Sequence, residues 1–346
     1  MKNRPGISIA RILIPLTVAA ALVVAIVVLL RYDSTGSGGS RLAKPFVYDI
    51  GEMAKIDPNL ILYERESLTV ETGFARSHCL TLDSSGAIYV AGDRAVRVFS
   101  PTGNKLREVQ LGGEVRPVAI DEDGQMYVGL RDHVEVYDAK GERVSIWESL
   151  GERALLTGLA VEGDHVFVAD AGNRIVLHCD SKGTVINKIG EKDEQRNIPG
   201  FLVPTPYFDL TIAPDGLLRV INPGNHEIQA YTYGGDLELS WGKFSGTIEG
   251  FCGCCNPVNI AILPDDSFVT VEKGLIRVKL YDADGKFVGV VAGPDQLGVA
   301  GPVKICQFPE QCQSGGFDVA VDAKGRIFVL DTIKNVVRVF SRKDAI

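Results

Sequence analysis

Five of the seven cysteines lie close together near the C-terminal end of the chain. They are Cys252, Cys254, Cys255, Cys306 and Cys312, with the spacings C-x-C-C and C-x5-C. Such a set can form disulfides, bind a soft metal ion through thiolates, or act as a redox dithiol. The spacing does not match the paired C-x2-C pattern of zinc sites. Adjacent cysteines bond to each other only with strain, so Cys254 and Cys255 are each expected to pair elsewhere.

The chain around these cysteines repeats one pattern of short strands six times. Each unit has an apolar strand, a turn with glycine, a second strand, a loop and a third strand. The third strands end at Phe99, Tyr137, His178, Tyr231, Tyr281 and Phe340, at intervals of 38, 41, 53, 50 and 59 residues. Four-stranded propeller blades need roughly 40–50 residues, and the longer intervals indicate insertions. The pattern predicts an all-β, six-bladed β-propeller.

The sixth unit stops after its third strand, because the chain ends at Ile346. A propeller must close its ring, so another segment has to supply the outer strand of that blade. Residues 59–65, an apolar run ahead of the first unit, are predicted to do so. The predicted propeller domain therefore spans residues 46–346.

The propeller topology predicts where the cysteines lie. The loop that enters a blade and the loop between its second and third strands share one face. Cys252, Cys254 and Cys255 precede the first strand of the fifth unit, and Cys306 and Cys312 precede that of the sixth. The two segments are therefore expected side by side on this loop face, joined by at least one disulfide or by a common thiolate-bound metal.

A local motif carries a family resemblance. The segment Val168-Ala-Asp-Ala-Gly-Asn-Arg-Ile175 resembles the NHL-repeat signature, with looser copies at 222–225 and 331–335. The resemblance covers about residues 73–346. It implies a six-bladed NHL-type propeller, of the membrane-tethered bacterial type, that binds a protein or small ligand on one face without catalysis. Related six-bladed propellers include lactonases and amidating lyases, so a metal-dependent lactonase-like or lyase-like enzyme is an alternative.

The same resemblance suggests a metal site. In lactonase-like propellers, a Glu, an Asn and an Asp from different blades hold a divalent ion at the mouth of the channel. The residues here that match this set are Glu272, Asn222, Asp170 and Asp331, each just after a second strand. Their oxygen atoms suit Ca²⁺. The NHL resemblance implies the alternative that each side chain ties down its own loop.

The start of the chain predicts a membrane anchor. Residues 12–30 carry no charge, and 19 residues at about 1.5 Å each just cross a hydrocarbon core. Lys2, Arg4 and Arg11 precede this run and predict a cytoplasmic N-terminus at 1–11. A flexible linker at 31–45 would then connect the anchor to a propeller on the extracytoplasmic, periplasmic side. A cleaved signal peptide is the alternative. An oxidising location favours disulfides.

Charge excludes one class of partner. Four of the 36 basic residues lie within 1–31, leaving 32 against 44 acidic residues, a net charge of −12 for the remainder. A body this acidic is unsuited to nucleic acid, which is bound through positive charge.

Overall fold

The computed structural model describes residues 19–28, 53–298 and 315–343. The strands in this part of the chain are β1 (Tyr63–Glu71), β2 (Ser77–Leu82), β3 (Ile88–Gly92), β4 (Ala95–Phe99), β5 (Lys105–Gln110), β6 (Val118–Ile120), β7 (Met126–Gly129), β8 (Val134–Tyr137), β9 (Arg143–Ile146), β10 (Leu156–Glu162), β11 (His165–Asp170), β12 (Ile175–Asp180), β13 (Val185–Ile189), β14 (Leu210–Ile212), β15 (Leu218–Asn222), β16 (Glu227–Tyr231), β17 (Leu237–Trp241), β18 (Asn259–Ile262), β19 (Phe268–Glu272), β20 (Arg277–Tyr281), β21 (Phe287–Ala292), β22 (Asp318–Val321), β23 (Ile327–Asp331) and β24 (Val336–Arg342).

These strands form six antiparallel four-stranded sheets, which are the blades of a propeller. Blades one to five are β2–β5, β6–β9, β10–β13, β14–β17 and β18–β21, and the sixth has the order β1-β24-β23-β22. The second strands β3 and β15 are buried at every position, because neighbouring blades cover both of their faces. The outer strand β9 is mostly exposed. The predicted all-β, six-bladed architecture is therefore confirmed.

The ring is closed by β1, which pairs antiparallel with β24 in a register that places Val70 opposite Val337. Closure by a segment ahead of the first unit is confirmed, and residues 63–65 of the predicted segment 59–65 belong to the closing strand, but the strand starts later than predicted and extends to Glu71. Asp57 caps a short 3-10 helix at Pro58–Leu60, so the chain is not extended there. Ile61 then bridges Val290 of blade five. The strand of blade six begins only at Tyr63.

The N-terminal region is described only at 19–28, which is helical. The rest of the predicted anchor at 12–30, the N-terminus at 1–11 and the linker at 31–45 lie outside the described residues. No helix within the described ranges is long and apolar enough to cross a membrane. The membrane anchor stays a prediction.

Candidate functional site at the mouth of the channel

The polar residues at the ends of second strands hold the loops that enter their own blades. In blade three, Asp170 accepts a hydrogen bond from the backbone N–H of Leu155 at 2.9 Å. In blade four, Asn222 Oδ1 accepts one from the N–H of Leu202 at 2.9 Å. Each of these loops precedes the first strand of its blade. Asp170 and Asn222 therefore hold the entering loops of two different blades on the loop face.

Glu272 does the same in blade five within a buried ionic network. Its Oε1 accepts the backbone N–H of Cys252 at 2.7 Å. Its Oε2 lies 2.6 Å from Nε of Arg277 and 3.2 Å from Nζ of Lys279, and all three side chains are buried. Burial lowers the pKa of Lys279 to about 8, and the charge of Glu272 opposes that shift. Lys279 also donates to the carbonyl of Gly250 at 2.6 Å, so the network holds the cysteine-bearing loop at two points.

Asp331, at the same position in blade six, holds the loop that follows its own strand. It accepts the N–H groups of Ile333 and Lys334 at 2.9 Å each. Its second oxygen lies 2.6 Å from Nη1 of Arg338.

The predicted calcium ligands each have bonding partners in the structure, and a shared ion among them stays a prediction. Glu272, Asn222, Asp170 and Asp331 belong to four different blades, and each is fully buried among partners of its own blade. In the part of the chain that the structure describes, no three His, Cys, Asp or Glu side chains form a group able to hold a metal ion. The structure supports the alternative, in which each residue ties down its own loop.

Three of the clustered cysteines are described, and their thiols are free. The Sγ atoms of Cys254 and Cys255 lie 3.1 Å apart. The two thiols are in contact but not bonded, and the expectation that each pairs elsewhere stays a prediction. Cys306 and Cys312 lie outside the described residues, so a link between the two cysteine segments stays a prediction.

The central channel contains a feature that the sequence analysis missed. Five side chains, which we call the channel girdle, bond to the backbone of the first strand of a neighbouring blade or of the segment just before it. They are Cys79, Thr157, Asp209, Asn259 and Asp318, whose partners are the carbonyls of Val118 and Phe208, the N–H of Ile260, the carbonyl of Phe317 and the N–H of Leu80. An inner strand has no neighbour on its channel side, so its backbone groups need such partners. The girdle thereby connects five of the six pairs of adjacent blades.

A sequence signal for the girdle exists. Asp209, Asn259 and Asp318 each stand at the start of an apolar first strand, at the same register position relative to the second strand. The channel they line encloses about 550 Å³. Cys79 donates to the carbonyl of Val118 at 3.8 Å and also packs against an apolar cluster of blades one and two.

The two girdle carboxylates share a poorly solvated environment. Burial raises the pKa of Asp209 to about 8, and the charge of Asp318 adds to that shift. Burial also raises the pKa of Asp318, to about 6, while the N–H groups of Leu80 and Val319 oppose the shift. Both folded-state values lie above the ordinary 3.8, so the folded protein binds more protons than the unfolded chain between about pH 4 and 8. Stability from this pair is greatest at acidic pH and falls as the pH rises through that window.

Replacing Asp209 with asparagine is expected to flatten this pH dependence. The amide oxygen can still accept the N–H of Ile260, but no charge develops in the channel. Between pH 5 and pH 9, the variant should gain about 2 kcal/mol in free energy of unfolding relative to the unmodified protein. Converting the whole pKa shift at about 1.4 kcal/mol per unit would give a larger free energy. We expect less because the side chain of Asp209 keeps some contact with the solvent in the channel. Urea unfolding at several pH values measures it, with exposed Asp123→Asn as the control. Parallel pH profiles for both variants would contradict the assignment.

On the loop face the channel opens into a mouth cavity of about 340 Å³. Its walls include Arg76, Arg116, Tyr207, Thr332 and Ile333. The first three precede first strands, whereas Thr332 and Ile333 follow a second strand, so both kinds of loop do share this face. Gly316 lies so close to the ring of Tyr207 that a side chain there would collide with it. The wall is therefore tightly packed on that side.

The mouth cavity is positively charged in an otherwise acidic protein. Within the described residues, the guanidinium groups of Arg76 and Arg116 form no ion pair or hydrogen bond. Burial lowers the pKa of His78, and the charges of Arg116 and Arg76 lower it further, against the carboxylate of Glu114. Burial raises the pKa of Tyr207, and Arg116 opposes that shift. The charge of Arg116 thus lowers the pKa of two groups in the cavity wall, His78 and Tyr207.

Comparisons with known proteins support the fold alone. No protein-family model matches the chain, and no curated protein matches it significantly. A streptogramin B lyase structure is 11% identical, covers 81% of this chain and 97% of its own, and has a TM-score of 0.54. A catalytically inactive virginiamycin B lyase from Staphylococcus aureus with quinupristin is 14% identical, with coverages of 81% and 100% and a TM-score of 0.54. A protein of unknown function from Bacteroides thetaiotaomicron is 17% identical, with coverages of 81% and 72% and a TM-score of 0.57.

These similarities define the class of protein as a six-bladed β-propeller. At such low sequence identity, the function of these proteins cannot be assigned to this chain. Membership of the NHL-repeat family is not confirmed by them.

Proposed function

We propose that this chain is a binding module whose ligand enters the mouth cavity and carries an anionic group, a carboxylate or a phosphate. The observation that carries the proposal is the pair of guanidinium groups, Arg76 and Arg116, without carboxylate partners among the described residues. Arginine presents a planar set of donors that matches the geometry of carboxylate and phosphate. In a body with a net charge of −12, such a pair is an isolated positive region that attracts anions.

The remainder of the cavity suits a small apolar or aromatic body. Tyr207 forms one wall, and Ile333 is 49% exposed at the rim. A volume of about 340 Å³ is at the small end of the range for ligand sites.

Matched pairs of probes test the charge requirement. Benzoate and phenyl phosphate should bind, whereas benzamide and phenol, with similar rings and no charge, should bind at least tenfold more weakly. Binding should weaken as NaCl is raised from low to high concentration, because partly exposed charges are screened. Isothermal titration calorimetry on the full chain measures both effects. Equal binding of charged and neutral partners would contradict an anion site.

Arg116→Gln should weaken benzoate binding by about 10- to 100-fold, since a hydrogen bond to a charged group is worth roughly 1.5–3 kcal/mol. Arg174→Gln is the control, because Arg174 is exposed beside the second strand of blade three and does not line the cavity. An equal loss in both variants would show that overall charge, and not the cavity, is responsible.

We also propose that the propeller is displayed outside the cytoplasm on an anchor at 12–30. The proposal is based on the uncharged run and on the positive residues Lys2, Arg4 and Arg11 before it. Protease added to intact spheroplasts should degrade the propeller. Full protection of the propeller, in cells where a periplasmic control protein is degraded, would overturn the orientation.

A further inference from the structure

Cys254 and Cys255 have the arrangement of a reactive thiol pair. Their sulfur atoms lie 3.1 Å apart, roughly 1 Å more than a disulfide bond. Cys254 is exposed, whereas Cys255 is 1% exposed. An oxidant in solution can therefore reach one sulfur, and the second sulfur is shielded but in contact with the first. This asymmetry distinguishes an attacking thiol from a resolving thiol.

The loop that carries the pair is held on both sides. Upstream, Cys252 donates its N–H to Glu272. Downstream, Asn256 donates through Nδ2 to the carbonyl of Cys252 at 2.6 Å and accepts the N–H of Lys273 at 2.9 Å. The segment between these anchors is short, which keeps the two thiols beside each other.

The groups around the exposed thiol shift its pKa in opposite directions. Burial raises the pKa of Cys254, and Cys255 raises it further through a hydrogen bond and its charge, whereas Lys273 lowers it. The Nζ atom of Lys273 also lies 5.3 Å from the ring centre of Tyr207. Lys273 is thus the positive group next to the pair, on the side of the mouth cavity.

Adjacency in the chain determines which kind of disulfide this pair can form. Neighbouring Cα atoms are about 3.8 Å apart, below the usual range of about 4.4–6.8 Å for disulfide-bonded residues. Strain of this kind makes a disulfide easier to reduce. A bond between these cysteines is therefore suited to reversible exchange and poorly suited to stapling the fold.

We propose that Cys254 and Cys255 form a vicinal dithiol that exchanges reversibly with disulfide compounds. The thiolate of Cys254 attacks one sulfur of the oxidant, forms a mixed disulfide and releases the first thiol. Cys255 then loses its proton, attacks Cys254 and displaces the second thiol. Two protein thiols are oxidised and one disulfide is reduced to two thiols, each leaving thiolate taking one proton. The site is independent of the proposed anion site.

Oxidised glutathione is the probe for the first test. A Cys252→Ser variant of the full chain leaves only Cys254 and Cys255 in the tryptic segment 244–273. After treatment and alkylation of free thiols, this peptide should be about 2 Da lighter than the reduced form and carry no alkyl group. An excess of reduced glutathione should restore both thiols. Alkylation at both cysteines after the oxidant would overturn the proposal.

Single variants test the order of the two steps. Cys255→Ser should retain one glutathione on Cys254, because the resolving thiol is missing. Cys254→Ser should react at least tenfold more slowly, because Cys255 is shielded. Cys179→Ser, a buried position in β12, is the control and should leave the exchange unchanged.

The unmodified chain provides the remaining test. Peptide mapping without reductant should show no bond from Cys254 or Cys255 to Cys252, Cys306 or Cys312. Such a bond, or equal reactivity of the two single variants, would show that the pair is not an exchange site.

Discussion

Glu272→Ala is expected to lower the free energy of unfolding by about 3–5 kcal/mol. The substitution leaves Arg277 and Lys279, which are almost fully buried, without their shared carboxylate. Removing one partner of a buried ion pair costs this much because the remaining charges are uncompensated. The N–H of Cys252 also loses its acceptor, so the cysteine-bearing loop should become more mobile. Urea unfolding and hydrogen exchange of that loop measure the two effects.

Two variants make this test specific. Glu238→Ala changes an exposed glutamate in β17 and should alter stability by no more than about 0.5 kcal/mol. Replacing Glu272, Arg277 and Lys279 together by methionine should recover much of the loss, because apolar groups of similar size often substitute for a buried ionic network. If Glu272→Ala is as stable as Glu238→Ala, the network does not hold the loop.

Val70→Asp is expected to open the ring at its closure. Val70 is 2% exposed in β1 and packs in the apolar cluster that joins blades one and six. A carboxylate buried there without a partner should cost several kcal/mol, and detachment of β1 would expose the edge of β24. We expect a large fall in the urea midpoint and a less cooperative transition by circular dichroism.

Ser67→Asp is the matched control, because Ser67 lies on the same strand and is exposed. It introduces the same charge into β1 without burying it. Equal effects of the two substitutions would show that β1 does not close the ring through its apolar contacts.

The strand repeat could be predicted because its signals are local. Third-strand ends such as Phe99 and Tyr281 recur at blade spacing, and the structure places both at the ends of third strands. The exact start of the closing strand could not be predicted from hydrophobicity. The apolar run from Leu60 to Tyr63 resembles one strand, but its first half contacts blade five and only Tyr63 begins β1.

The roles of polar residues were harder to predict, because they depend on contacts between distant segments. Asp170 and Glu272 follow their strands in a pattern compatible both with a metal site and with loop anchoring. Only the partners, the N–H groups of Leu155 and Cys252, distinguish the two. The role of Asp209 could not be predicted, because its partner, Ile260, lies in the next blade.

The mouth cavity could not be derived from the sequence for the same reason. Arg76, Arg116 and Tyr207 come from loops of three different blades, and no spacing connects them. Their proximity follows only from the ring. A search for charged residues within two positions of each first strand would have found Arg76 and Arg116 individually, but not their proximity.

The location of a bound anionic probe tests the central proposal most directly. Crystals of the protein soaked in 4-bromobenzoate, at a concentration that saturates binding in calorimetry, would show the ligand through anomalous scattering of bromine. The account predicts a peak inside the mouth cavity, with the carboxylate facing Arg116 and the ring against Tyr207. A bromine peak elsewhere on the propeller, with the cavity empty, would contradict it.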